Sequence, residues 1–322
     1  MSAPRNIPAA AVIATRDRAE PLRATLRSLA AQSALPATII VVDSSPGGET
    51  KAVCDAITAD LPGIQYQVAH RSGAASQRNE GVAAAPAGVP ILFMDDDIAF
   101  EPECLARLWG ALHSDPAIGG VNAMITNQKY GEPGKLTRWL YEYASDNGAE
   151  SFAGKCLGPG INVLPADDPR LPDVVPVEWL NTTCVLYRRE ALPVPPFRDF
   201  FQGASTGEDL ALSLIVRREW KLANARTARI FHDNLSGSHK RSLVRLGREE
   251  VVNRHYIMRE ILRQRGGTAY AQLAAAQLIS LAGSARSRGG WRGFAPLFLG
   301  KVLGALAIAT GSAHRQSPTD PK

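Results

Sequence analysis

Val89-Pro90-Ile91-Leu92-Phe93-Met94-Asp95-Asp96-Asp97 is the stretch on which the reading of this chain turns. Its first six residues read as a buried strand, and that strand delivers three carboxylates to one spot. At an effective dielectric of about 20, two unit charges near 4 Å repel by ~4 kcal/mol. A positive group is therefore expected beside them, and a hard divalent cation that prefers oxygen ligands is the simplest candidate. The plain alternative is a solvated acidic turn after a strand.

Upstream, strand-like and helix-like segments alternate. Ala10 to Ala14 reads as a first buried strand, and Pro21 to Gln32 as a helix with Leu22, Leu26 and Leu29 at helical spacing. Thr38 to Val42 is a second strand, closed by Asp43-Ser44-Ser45-Pro46-Gly47-Gly48. Glu49 to Ala59 reads as helix, Ile64 to Val68 as strand and Ala74 to Ala84 as helix, before Val89 to Met94. This alternation predicts an α/β fold, with right-handed crossovers and a mostly parallel sheet covered by helices on both faces. Ligands of such sheets lie beyond the carboxyl ends of the strands. Asp17, Asp43 and Asp95 to Asp97 all fall just past those ends.

Downstream, Glu101 to His113 reads as helix, and Gly119 to Pro176, rich in Gly, Pro and Asn, as long loops and short strands. Val177 to Tyr187 reads as a strand, Arg188 to Leu192 as a brief helix. Leu210 to Trp220 reads as a helix with Leu212, Ile215, Val216 and Trp220 on one stripe. Thr206-Gly207-Glu208-Asp209 opens that helix. The pattern fits a capping box, and equally a carboxylate held where it can accept a proton. Phe231-His232-Asp233 follows a strand expected over Thr227 to Phe231. An imidazole just past a strand faces the same cleft as the aspartates, and imidazole plus carboxylate can hold Mn2+ or Mg2+. Arg18, Arg71 and Arg78 are either phosphate or base contacts or solvated surface arginines.

Taken in order, the segments form a recognisable series: Ala14-Thr15-Arg16-Asp17-Arg18, Leu26-Arg27-Ser28-Leu29-Ala30-Ala31-Gln32-Ser33, Val42-Asp43-Ser44-Ser45, Gln77-Arg78-Asn79-Glu80-Gly81, Phe93-Met94-Asp95-Asp96-Asp97 and Gly207-Glu208-Asp209. The series closely resembles family 2 glycosyltransferases, over residues 8 to 236. The resemblance implies a GT-A fold, a Rossmann-like mixed sheet that is mostly parallel. It also implies inverting, metal-dependent transfer from a nucleoside-diphosphate sugar donor to an acceptor hydroxyl. By resemblance Thr15, Arg18, Asp43, Arg78, Asp95 and Asp96 hold the nucleotide sugar, and Asp97 and His232 hold Mn2+ or Mg2+. Asp209 becomes the catalytic base, with Glu208 and Trp179 on the acceptor side. The triple aspartate leaves the register of the DxD motif open by one residue. Processive members carry Gln-x-x-Arg-Trp; Arg217-Arg218-Glu219-Trp220 lacks the glutamine, so single additions are expected. The resemblance to rhamnosyl- and galactosyltransferase-like members implies a lipid-linked or glycan acceptor and a role in envelope glycan or glycolipid synthesis.

Composition limits the alternatives. The chain has 322 residues, 45% of them hydrophobic, enough for a sizeable core, and a formal charge of +5. Basic residues crowd the last third (Arg241, Arg245, Arg248, Arg254, Arg259, Arg263, Arg265, Arg286, Arg288, Arg292) without the aromatic interleaving of a nucleic-acid binder. Cys54, Cys104, Cys156 and Cys184 have no metal-ligand spacing and read as small apolar groups in a reducing compartment. The N-terminal apolar run is short and leads into Arg16-Asp17-Arg18, so a core strand is expected rather than a signal peptide, and a cytoplasmic location with it. A domain over residues 1–236 is expected to be followed by a helical region over residues 237–322. Leu243 to Arg263, Tyr270 to Ala285 and Phe294 to Thr310 read as helices, the last interrupted by Lys301. They are short for a membrane span and fit an amphipathic layer on an anionic membrane surface, peripheral on the inner face of the plasma membrane; the alternative is an ordinary helical subdomain. Among rival activities, a sugar nucleotidyltransferase needs a Gly-rich first loop, and Thr15 to Pro21 has no glycine. A phosphatase of the Asp-x-Asp type places its acids after the first strand. A non-catalytic, membrane-docked carbohydrate binder has no use for the full acid set.

Overall fold

The computed structural model of the protein describes residues 5–144, 151–201, 206–233, 242–286 and 290–314. In chain order the elements are β1 (Arg5–Thr15), α1 (Ala19–Ala30), β2 (Ala34–Asp43), α2 (Glu49–Ala56), β3 (Ile64–Val68), α3 (Ala74–Ala84), β4 (Ile91–Met94), β5 (Ile98–Phe100), α4 (Cys104–His113) and β6 (Ile118–Ile125). Then come α5 (Lys135–Ala144), β7 (Cys156–Leu157), β8 (Ile161–Asn162), β9 (Val174–Val177), β10 (Cys184–Tyr187), α6 (Glu208–Val216), β11 (Lys221–His232), α7 (Leu243–Tyr256), α8 (Gly267–Arg286) and α9 (Gly290–Ala309). They form two compact units, residues 1–131, 153–155 and 163–235, and residues 132–152, 156–162 and 236–322. The boundary expected between residues 236 and 237 lies outside the described residues, as do Arg241 and Arg288.

The first unit is built on a sheet of order β3-β2-β1-β4-β10-β6-β11-β5, with β9 also paired to β11. β3, β2, β1 and β4 run parallel, β10 is antiparallel to both its neighbours, and β11 runs parallel to β6. Central strands are covered on both faces and so read as continuous apolar runs: Ala10 to Ile13 and Ile91 to Met94 are fully buried. Leu22, Leu26 and Leu29 present one stripe of α1 to this core. The order reverses at β1, whose neighbours are β2 on one side and β4 on the other. The crevice past their carboxyl ends is the switch point at which doubly wound sheets bind ligands. Thr15 ends β1 there with Arg16 to Arg18 following, and Asp95 to Asp97 follow β4.

Several expectations are corrected. The strand expected over Val177 to Tyr187 is two strands, β9 and β10, which pair with different partners. The stretch read as loops and short strands contains β6, a fully buried strand of the main sheet, and the helix α5. β5 is a three-residue strand immediately after the aspartates. α6 begins at Glu208 and ends at Val216, so Arg217 to Trp220 form the turn that leads into β11. Its N-cap is Gly207 at φ 91°, with no side-chain cap bond, so the capping-box reading of Thr206 does not hold.

The second unit holds α5, a short β7–β8 hairpin and α7 to α9; one π-helical turn, Ile257–Ile261, continues α7. α7 and α9 pack backbone against backbone. A Cβ on Gly247 would collide with the Leu297 carbonyl oxygen, and one on Gly300 with that of Val244; Gly304 lies against Arg248 and Val251. Gly300→Ala is expected to destabilise this unit by about 1–3 kcal/mol through overpacking. A denaturant midpoint unchanged from the wild type would contradict the close approach. Lys301, which interrupts the apolar run, is buried. Its Nζ donates to Glu250 Oε2 at 2.7 Å, to Gln277 Oε1 at 2.5 Å and to Ser280 Oγ at 3.3 Å. A side chain with three donors inside an apolar helix pair must find acceptors, and α7 and α8 supply them. Among the described residues, no helix is long and apolar enough to cross a membrane.

Candidate active site

The chain bends at Asp96 and Asp97 between β4 and β5, and the three carboxylates take different partners. Asp96 turns inward: its Oδ2 accepts from Thr15 Oγ1 at 2.6 Å and its Oδ1 meets Arg18 Nη1 at 2.9 Å. Burial pushes its carboxyl up to about 6, against the pull of Arg18 and Thr15. Asp97 shares Arg18 with Asp96, accepting from its Nη2 at 2.5 Å, and both Asp95 and Asp97 lie near His232. The imidazole Nε2 lies 3.2 Å from Asp97 Oδ1 and 4.0 Å from Asp95 Oδ2. Burial opposes ionisation of Asp97, but the His232 hydrogen bond and the Arg18 charge outweigh it and hold the carboxyl down at about 2.

His232 reaches this position through the bend of β11. That strand follows β6 to Ala225, gains extra residues, resumes with β6 at Arg229 and Ile230, and there also pairs antiparallel with β5. The pairing sets His232 opposite Ile98, the residue after Asp97, and Asp233 N–H donates to the Asp97 carbonyl at 3.0 Å. One ligand atom from each of Asp95, Asp97 and His232 lies within 4.8 Å of the others. Two carboxylates and one imidazole, converging at that separation, suit Mn2+ or Mg2+.

Gln77-Arg78-Asn79-Glu80-Gly81 on α3 ties this cluster to the rest of the crevice, one residue at a time. Gln77 Nε2 donates to the Thr15 and Val42 carbonyls at 2.9 and 2.8 Å, clamping the ends of β1 and β2. Arg78 is buried, and its two terminal nitrogens separate: Nη2 donates to Asp95 Oδ1 and Nη1 to Glu208 Oε1, each at 2.8 Å. Asn79 exchanges two hydrogen bonds with the Phe197 backbone. Glu80 accepts from the His70 and Arg71 N–H groups. Gly81 sits where a Cβ would strike the Val12 side chain, so α3 can lie tight on β1. Of these five only Arg78 received a role from sequence; Gln77 was missed, its one visible signal being a place in the quoted series.

Glu208 and Asp209 open α6 beside Arg78. Burial pushes Glu208 up to about 8 despite the Arg78 charge, which opposes it. Asp209 is half-buried, and its carboxyl is also raised, by desolvation first, with the Leu210 N–H and Arg78 opposing and Asp95 adding. Its Oδ1 accepts from Leu210 N–H at 2.7 Å. Thr15, Arg18, Arg78, Asp95, Asp96, Asp97, Glu208 and His232 are thus linked by hydrogen bonds or ion pairs into one constellation at the switch point. Asp43 sits at the end of β2, where it orders its own loop by accepting from Ser45 N–H at 2.9 Å and from the Tyr66 hydroxyl at 3.2 Å. Trp179 is 5% exposed, and its indole N–H donates to the Val163 carbonyl at 2.8 Å, leaving little ring surface for a sugar to stack on. Arg71 is exposed and lies 3.5 Å from Asp199. Asp17, just past β1, holds a left-handed backbone at φ 54°, tied by its N–H to Ser45 Oγ at 2.7 Å.

Comparison with known proteins agrees with this architecture. Glycosyl transferase family 2 matches residues 10–161. Similar solved structures include GalNAc-T7 with UDP, GalNAc and Mn2+, at TM-score 0.55 and 14% identity, covering 78% of this chain; the chain spans 47% of that one. The mannosyltransferase PcManGT from Pyrobaculum calidifontis, in complex with GDP-Man and Mn2+, has TM-score 0.54 and 16% identity over 97% of this chain and 80% of its own. S. aureus TarS 1-349 has TM-score 0.53 and 14% identity over 88% of this chain and 74% of its own. No curated protein matches the chain in sequence. With the match placed over the switch point and the fold shared with these proteins, residues 10–161 carry a glycosyl transferase family 2 domain and the chain has the GT-A fold.

Proposed function

We propose that the protein transfers a sugar from a nucleoside-diphosphate sugar to an acceptor hydroxyl, with inversion at the anomeric carbon. The observation that carries this reading is the convergence of Asp95, Asp97 and His232 beside the Arg78-bridged Glu208 and Asp209. Asp95, Asp97 and His232 would hold Mn2+ or Mg2+, which when bound supplies a Lewis acid for the leaving diphosphate. Thr15 and Arg18, together with Asp43 at the end of β2, form the donor side of the crevice. Asp209 takes the proton from the acceptor hydroxyl as its oxygen attacks from the face opposite the diphosphate. Glu208 and Arg78 hold the start of α6 in register with the donor side. Holding donor and acceptor in line supplies much of the rate. Donor complexes of the similar structures support a nucleotide-sugar donor. The acceptor is a lipid-linked or envelope glycan, taken up on the cytoplasmic side.

Incubation with a panel of sugar nucleotides, Mn2+ and glycolipid acceptors tests the reading. Release of nucleoside diphosphate without inorganic phosphate or pyrophosphate is expected; pyrophosphate release would instead favour a nucleotidyltransferase. The base must be ionised to accept a proton. Because the Asp209 pKa is raised, the rate should fall as pH drops, along an acidic limb lying above the ~3.9 of an ordinary aspartate. Asp97→Ala is expected to weaken metal-dependent donor binding by at least about 100-fold, beyond the 10–100-fold typical of outer partners. Calorimetry with Mn2+ showing unchanged donor affinity would remove Asp97 from the metal site.

A further inference from the structure

α9 divides into two faces. Leu297, Gly300, Lys301, Gly304 and Ala307 are buried. Phe298, Leu299, Val302, Leu303 and Leu306 are exposed, at 49, 51, 38, 40 and 56%. At 3.6 residues per turn these five fall within an arc of about 140° on the side opposite the buried residues. Scattered apolar residues on a surface need no explanation, but a contiguous apolar face does. The lysine that would interrupt this run has been turned inward and neutralised by Glu250. α8 adds no charge between Gly267 and Ala285 and exposes Leu278 at 66%.

The charge along this stretch of the chain is one-sided. No aspartate or glutamate lies between Glu260 and Asp320, whereas six arginines and Lys301 do. Of these, Arg263 and Arg265 are exposed in the turn before α8. A second copy on the same face would bring two acid-free, arginine-bearing segments together. An acidic headgroup layer complements them, and the acyl boundary takes the leucines. We propose that the exposed face of α9 is the seat of this protein on a bilayer of acidic phospholipid, lying in the interface rather than crossing it. The proposal concerns the second unit alone and holds whether or not the first unit transfers a sugar.

Co-sedimentation of the full chain, without donor, tests it on vesicles of phosphatidylcholine alone and on vesicles mixed with phosphatidylglycerol. Binding is expected to the mixed vesicles and to weaken with salt. Leu299→Asp with Leu303→Asp should cut the partition coefficient at least about tenfold, with circular dichroism unchanged; Arg263→Glu with Arg265→Glu should do the same for the acidic-lipid preference. Failure to sediment with either vesicle would overturn the proposal. So would equal binding by wild type and the Leu299/Leu303 variant, or a dimer that this variant converts to a monomer without any vesicle binding. Transfer to a soluble acceptor, measured on the same samples, reports separately on the first unit.

Discussion

Asp209→Asn will lower turnover by about 10²–10⁴-fold while leaving donor affinity within a factor of a few. The substitution keeps the size of the side chain and leaves an oxygen to accept the Leu210 N–H bond at the start of α6. What it removes is the capacity to take up the acceptor proton. The donor-side groups stand on β1, β2 and β4 and do not depend on that carboxylate. Isothermal titration with donor and Mn2+, beside a steady-state assay, separates the two effects. Turnover near wild type in a folded variant would take Asp209 out of the mechanism. The acid limb of the pH profile should vanish with it, because no ionisation of residue 209 remains to be lost.

Lys301→Ala will destabilise the helical unit by about 3–5 kcal/mol, the cost of removing one partner from a buried ion pair. Lys301 and Glu250 are 5% and 13% exposed at their side chains, and Glu250 Oε2 also faces Ser280. Alanine at position 301 leaves that carboxylate largely out of water with only Arg254, its Nε 3.5 Å from Glu250 Oε1, as a cation. Lys301→Met combined with Glu250→Gln removes both charges and keeps the volume, and should recover most of the loss. Chemical denaturation followed by circular dichroism reads both variants. A single variant as stable as the wild type would mean that Arg254 or water suffices for Glu250.

Most of the first unit was legible because period and composition there agree with tertiary structure. Leu22, Leu26 and Leu29 announce one helix face, and the runs ending at Met94 and Val42 announce strands covered on both sides. β6 was hidden by Gly119 and Gly120, which weaken strand propensity. Their reason is distant in sequence: a Cβ at either position would strike Trp220 or Tyr187. β5 is too short to show a period. In the site, the acids and His232 were visible because they follow strand ends. The direction of each side chain was not, since the chain bends at Asp96 and Asp97, and the partners Thr15, Arg18 and His232 lie far off in sequence. Arg78 was assigned to the nucleotide, whereas its two terminal nitrogens are engaged by Asp95 and Glu208, a pairing across 130 residues that no local pattern reports. Lys301 looked like a break in an amphipathic run because its acceptors sit on α7 and α8.

The glycine seam between α7 and α9 bears on where this chain tolerates shortening. Val251 and Val252 are buried, and Gly304 lies against Val251. Trimming from the C-terminus into α9 would uncover Val251, open the groove at Gly247 to water and take Lys301 from Glu250 in a single cut. A product ending near residue 286 should therefore aggregate or be degraded, although the family domain itself would be intact in sequence.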